Sequence, residues 1–199
     1  MSIAELVWQH LQMVSIALIL SILLAWIIVA LTMFFPLFKA AIVTLLGIIY
    51  TIPSLALMAF LLPWLGLNQN VIIGAVVLYS QSILVRNILA ALDHLDPDLR
   101  EAATAMGMSR WQQWWRVEFP LIFPTFWAAV RLTTIVAIAT ATLGAKVNAG
   151  GLGKLLFEGI QTNRYDKIVM GSILLAALAI GFNVLFSRIQ KRFFPTPYL

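Results

Sequence analysis

Apolar runs occupy residues 13–35, 40–62, 71–92, 121–145 and 168–187 of this chain, with short polar stretches between them. About 20 predominantly apolar residues suffice for one helix across a bilayer. Each run meets that length, and a segment in lipid has to satisfy its own backbone, which leaves helices as the economical solution. The pattern predicts an all-α membrane protein: five transmembrane helices in one bundle, with residues 1–199 forming a single transmembrane domain. Ahead of the first run, Glu5 and His10 sit among Leu6, Val7, Trp8 and Leu11. This predicts a short interfacial helix over 2–12, with Trp8 at headgroup level. The second run is interrupted at Thr51-Ile52-Pro53-Ser54. A mid-span proline removes a helix hydrogen bond that neighbouring Ser or Thr replaces in part. The expectation there is a packing kink, with a bend beside a pathway as the alternative. The third run carries Tyr79, Ser80, Gln81, Ser82, Arg86 and Asn87 in its second half. Residues 144–166 read as a polar, glycine-rich connection and 193–199 as a short tail.

Between the third and fourth runs lies a polar island, residues 93–120, holding five of the eight acidic residues and three of the thirteen basic ones. It predicts two short helices meeting at Gly107. Asp96 suits an N-cap and Pro97 the first helical position. Leu99, Ala102, Ala103 and Met106 then share one face, and Gly107 supplies the left-handed conformation that ends such a helix. Ser109 and Gln112 have capping-box spacing for the second helix, whose Trp111, Trp114 and Trp115 form an aromatic face. Pro120 marks its end.

Composition supports lipid as the solvent: 62% of residues are hydrophobic and 11% charged, against roughly 25% charged in soluble domains. The formal charge of +5 does not indicate nucleic acid, because the basic residues are scattered near span ends rather than gathered in a stripe. They bear on orientation instead. With the island cytoplasmic, that side holds Lys39, Arg86 near a span end, Arg100, Arg110, Arg116, Arg188, Lys191 and Arg192, the other holds Lys146, Lys154, Arg164 and Lys167, and Arg131 is left inside the membrane. The bias predicts the N-terminus outside and the C-terminus in the cytoplasm. The first basic residue is Lys39, so a basic n-region is missing and the N-terminus is expected to stay on the mature protein.

The chemistry open to these residues is narrow. With two histidines, no cysteine and no paired ligand spacing, no metal site is expected. Neither a GxSxG elbow nor a GxxxxGK[ST] phosphate loop occurs, so the chain has no P-loop route to ATP hydrolysis. The glycines at 150–153 lack the preceding strand that a nucleotide site requires. Arg131 lies about 15 Å deep in the fourth run at a rise of roughly 1.5 Å per residue. Unpaired, it costs roughly 2.5–3.5 kcal/mol there, so it faces protein or water. It either lines a path or anchors its helix to carbonyls or to an acidic residue of the island. The three island tryptophans read as an interfacial belt or a docking face, with a cage for a quaternary ammonium as the alternative.

Glu101-Ala102-Ala103, three residues, Gly107, nine residues and then Val117-Glu118-Phe119-Pro120 resembles the EAA loop of ABC importer permeases. In that pattern E-A-A and G are followed by I-x-L-P, and Val and Phe here keep the apolar character. Tyr50-Thr-Ile-Pro-Ser-Leu-Ala-Leu57, Asp96-Pro-Asp-Leu-Arg-Glu-Ala-Ala103, Ala105-Met-Gly-Met108, and Ala149-Gly-Gly-Leu-Gly153 followed by Phe157-Glu-Gly-Ile160 resemble the glycine betaine/carnitine/choline branch. The glycine segment is shared with methionine-importer permeases.

The resemblance implies a type I importer permease in a bacterial cell membrane, carrying osmoprotectants. Two permease subunits, identical or paralogous, are expected to form the path. Two ATPase subunits using ATP and Mg are expected below them and an extracytoplasmic solute-binding protein above, with no cofactor on this chain. It further implies that the hairpin is a coupling helix. Glu101 is expected to fix the loop by polar contacts, Ala102, Ala103 and Met106 to form the packing surface, and Gly107 to make the turn. Tyr50, Pro53, Tyr79, Gln81, Gly150 and Gly151 are the candidates for pathway or gate. A permease for methionine or another polar nutrient, and an ATP-independent channel or carrier, stand as alternatives. The carrier needs a buried ionisable network, for which Arg131 alone is thin.

Overall fold

The computed structural model describes residues 2–193, so the predicted tail falls almost entirely outside it. Every described element is helical: α1 (Ile3–Phe34), a 3-10 turn (Pro36–Phe38), α2 (Lys39–Thr51), α3 (Ser54–Leu65), α4 (Gln69–Asp93), α5 (Pro97–Ala105), α6 (Arg110–Gln113), a π-helical turn (Trp114–Glu118), α7 (Phe119–Ala141), a 3-10 turn (Thr142–Val147), α8 (Leu152–Gln161) and α9 (Tyr165–Phe193). Among the described residues, four helical stretches are long and apolar enough to cross a membrane, and five if the bent pair α2–α3 counts as one.

Lipid as solvent inverts the usual pattern of bulk. Along α1 the buried positions include Ala17, Ser21 and Ala25, whereas Ile19, Leu23, Ile27 and Leu31 are exposed. Small residues let backbones approach where hydrocarbon offers no hydrophobic drive to associate. The partner of α1 is α4, which also packs against α2, α3 and α7. In α4, 67% of the most apolar stretch is buried, against 6% in α9, so α4 is the axis and α9 the rim. Two apolar clusters stack along that axis. One joins Met13, Ala17, Leu57, Met58, Ile72 and Ala137, the other Ala25, Val29, Leu46, Leu84, Ile88 and Phe126. Buried Ser21, Ser80, Gln81, Thr133 and Thr134 lie between them in sequence on the same helices.

Four boundaries differ from the pattern-based expectation. The first twelve residues are not a separate interfacial helix. Ser2 and Glu5 form a capping box at the head of an unbroken α1, and His10 is fully buried because α8 packs over these turns through Leu152 and Leu155 onto Leu6. The glycine-rich connection therefore contains a helix. The second run is no mere kink. Its halves meet at 103°, since Ile52 precedes a proline and takes an extended conformation (ψ 127°), as steric clash with the proline ring demands. Finally, Pro120 ends nothing. Residues Arg110–Val147 run as one helical stretch, and the missing proline N–H is absorbed by the wider turn just before it, where Phe119 N–H donates to the Trp114 carbonyl.

Candidate functional site

The island folds into a hairpin at the end of the bundle where α4 finishes and α7 begins. Its first arm, α5, is capped by Asp96, whose Oδ1 accepts from the Asp98 amide at 3.0 Å, with Pro97 in the first turn. Its end is a Schellman motif. Met108 N–H donates to Ala103 O at 3.1 Å and Gly107 N–H to Thr104 O at 2.9 Å. This requires a positive φ at Gly107, observed at 74°. No atom lies within 4 Å of where a Cβ on Gly107 would sit, so backbone conformation selects the glycine, not space. Ser109 and Gln112 then form the capping box of α6, at 2.8 and 3.3 Å.

The groups that fix the hairpin are Arg100, Gln113 and Glu118. Glu101 does not do so: it is exposed and has no hydrogen-bond or ion-pair partner among the described residues. Arg100 reaches Glu118 Oε1 at 2.7 Å and Leu92 O at 3.2 Å, tying α5 to the π-helical turn and to the end of α4. Glu118 is buried, so its charge is compensated by this guanidinium. Gln113, also buried, donates through Nε2 to Thr104 Oγ1 at 3.1 Å and Met108 O at 3.0 Å, joining the two arms. Glu118 lies inside the V-x-F-P segment and Arg100 directly before E-A-A. Their opposite charges were the available signal. Ala103 is buried under the hairpin, while Glu101, Ala102 and Met106 point away from it, Met106 being 79% exposed. Lys39 pairs with Asp93 at the same end of the bundle.

The tryptophans divide. Trp111 and Trp115 meet edge-to-face at 5.5 Å and are exposed. Trp114 turns inward against Trp26 at 5.8 Å. They border a groove of about 640 Å³ with Met33, Phe34 and Phe119. With one ring turned into the bundle, the three do not form a single face.

Of the pathway candidates, Tyr50, Pro53 and Tyr79 come together. The break at Pro53 frees the Ile52 carbonyl, which accepts from the Tyr79 hydroxyl. Tyr50, about half exposed, stands edge-on to Tyr79 at 6.0 Å. Gln81 belongs to a different face, where its amide nitrogen donates to Ser21 O and Val77 O at 3.2 and 2.9 Å. Gly150 and Gly151 lie at the opposite end of the bundle from the hairpin. Both have φ of 77°, and the Gly151 amide donates to Gln9 Oε1 at 3.1 Å. They make a joint between α1 and α8. Gly153 packs α8 against the turn that follows α7: a Cβ there would stand 1.8 Å from Thr142 O. Arg131 joins none of these. Its guanidinium donates to Asn183 Oδ1 at 2.9 Å and Gln190 Oε1 at 3.4 Å. The partners are neutral amides of α9, where carbonyls or an island carboxylate were expected. Outside the spans, a hydrogen bond from Lys167 holds the Glu158 carboxyl below its ordinary range.

The geometry as a whole is a helical bundle with a braced hairpin at one end and a broken helix beside its axis. The model of the family described as "Binding-protein-dependent transport system inner membrane component" matches residues 17–196. The chain is 32% identical over 188 residues to the carnitine transport permease protein OpuCB of Listeria monocytogenes, covering 94% of this chain and 86% of that one. It is 33% identical over 193 residues to the osmoprotectant import permease protein OsmW of Salmonella typhimurium, covering 94% and 90%. With the choline transport system permease protein OpuBB of Bacillus subtilis it shares 31% over 191 residues, covering 94% and 87%. Among solved structures, an inward-facing methionine ABC transporter, MetNI, superposes with a TM-score of 0.83 over 95% of this chain and 94% of that one, at 19% identity. An amino acid ABC transporter crystallised with histidines gives 0.79 over 96% and 93%, at 18% identity. Likeness at that identity shows the fold alone.

Proposed function

The chain belongs to the binding-protein-dependent transport system inner membrane components, and from that premise we propose that it carries compatible solutes of the glycine betaine, carnitine and choline kind. It is a permease subunit of an ABC importer. The solute class rests on the likeness to carnitine, osmoprotectant and choline permeases, and the observation that carries the coupling mechanism is the hairpin: α5 and α6 are locked to each other and to the bundle by Arg100, Gln113 and Glu118. Glu101, Ala102 and Met106 are left outward and unengaged.

In this reading the hairpin is the coupling helix. It seats in an ATPase subunit, with small residues permitting close packing and Glu101 available for a partner's donor. Closure of two ATPases on ATP moves it as a rigid piece, and the Arg100–Glu118 tie passes that motion to α4 and α7. Two permease copies, identical or paralogous, enclose the path. The bent α2–α3 pair completes a five-span domain, the hairpin faces the cytoplasm and the N-terminus lies outside. ATP and Mg are used by the ATPases, and an extracytoplasmic binding protein delivers the solute.

The test is reconstitution of this chain in lipid with the ATPase and binding protein that co-purify with it from its own cells. ATP-dependent uptake of glycine betaine, carnitine or choline supports the proposal. Uptake by this polypeptide without any ATPase overturns the importer mechanism. Methionine or another polar nutrient displacing those solutes from the binding protein overturns the substrate class.

A further inference from the structure

Arg86 and Arg131 lie within helices long and apolar enough to span, and the fold treats them differently. Arg131 is tied to Asn183 and Gln190. Arg86, on α4, is exposed and has no hydrogen-bond or ion-pair partner among the described residues. Two helices locate it. It precedes the end of α4 at Asp93 by about two turns, roughly 10 Å. Its Nη1 lies 3.8 Å from where a Cβ on Gly47 would be, in α2, whose first residue Lys39 pairs with that same Asp93.

On α4, the surface around Arg86 lacks the character of a lipid face. The exposed positions next to it on α4 are Asn87, Ala90 and Asp93, whereas α1 exposes Ile19, Leu23 and Ile27, and α9 exposes Ile173, Ile180 and Leu185. A charge inside a membrane segment faces a bundle interior or water. In this single chain Arg86 faces outward, so the site is completed by a second copy. Gly47 keeps a side chain away from the guanidinium on the α2 side. A planar guanidinium cation repels a quaternary ammonium and offers a fork matched to a carboxylate.

We infer that Arg86 lines the path between two permease copies and receives the carboxylate of zwitterionic solutes in transit, so that the permease itself favours carboxylate-bearing osmolytes over a plain quaternary cation. This rests on the reading above and names the chemistry of its path.

The chain has no cysteine, so Arg86→Cys places one thiol in this subunit. In the reconstituted complex, a charged, water-soluble thiol reagent is expected to modify it. Arg86→Gln is expected to lower the ratio of kcat/KM for glycine betaine to that for choline at least tenfold, with the binding protein unchanged, and Arg86→Lys, which keeps the charge but lacks the planar fork, to restore only part of that ratio. Modification only by a lipid-soluble reagent overturns the inference, as does a parallel loss of both solutes at constant ratio. Separation of the two permease copies in Arg86→Gln, seen by native mass spectrometry, also overturns it, assigning the charge to the contact between copies. If the wild-type complex carries none of glycine betaine, carnitine and choline, the proposed substrate class falls. Arg86 is then judged by the same ratio for methionine against its carboxylate-free amine.

Discussion

At Gly107 the demand is a backbone angle and nothing else, because the space beside it is empty. A β-branched residue at φ 74° carries strain of about 1–3 kcal/mol. Gly107→Val is therefore expected to insert and pair normally yet distort the hairpin tip. The measurement is solute uptake against ATP hydrolysis in the reconstituted complex, with hydrolysis kept and uptake lost. Glu101→Lys is expected to uncouple in the same way for a different reason, since it changes an outward charge and touches no internal bond. Normal uptake by both variants would show that the hairpin does not couple. Gly153 presents the opposite case, in which space is the constraint. Gly153→Ala drives a methyl into the Thr142 carbonyl, and overpacking of this kind costs about 1–3 kcal/mol. A lower unfolding temperature in detergent is expected, with α8 pushed away from the 3-10 turn that follows α7.

Between elements, the hairpin and the α7–α9 seam make separate predictions. Removing Arg100 leaves the buried Glu118 carboxylate without its partner. Because Arg100 is partly exposed, water screens part of the loss. Hydrogen bonds to charged groups contribute about 1.5–3 kcal/mol, so Arg100→Ala is expected to destabilise by no more than the lower end of that range. Arg100→Ala with Glu118→Ala should recover part of it, as a double-mutant cycle on thermal stability will report. In the α7–α9 seam, Asn183→Leu strips Arg131 of its nearest acceptor, at a cost of up to roughly 2.5–3.5 kcal/mol if no water replaces it. Arg131→Leu in the same chain is expected to relieve that cost. If the double variant is less stable than Asn183→Leu alone, Arg131 has a role beyond holding α9. The local signals for these elements were strong in the sequence. Asp96-Pro97, Gly107 and the Ser109–Gln112 spacing are caps set by neighbours three or four residues apart. For Arg100–Glu118 the opposite charges inside the motif were a signal but did not fix the pairing, and Arg131–Asn183 was not legible at all, since nothing in a one-dimensional pattern says which charge meets which partner.

For the whole molecule, the structure places Lys39, Asp93 and the hairpin at one end and Gln9, Gly150 and Gly151 at the other. The proposed orientation predicts that Ala102→Cys and Met106→Cys react with an impermeant thiol reagent only from the cytoplasmic side, and less once the ATPase is bound. Labelling from outside would invert the topology and remove the hairpin as a coupling element. Hydrophobic run length alone determined that the chain is a helical membrane protein, because a lipid-embedded backbone has to close its own hydrogen bonds. Residue spacing alone determined the hairpin's caps and its family resemblance. Tertiary structure decided the rest: the right-angle break at Pro53, the helix continuous through Pro120, the burial of His10, and which of two intramembrane arginines is paired. These depend on which faces meet, and in a chain apolar on every side periodicity does not distinguish the face that packs from the face that meets lipid.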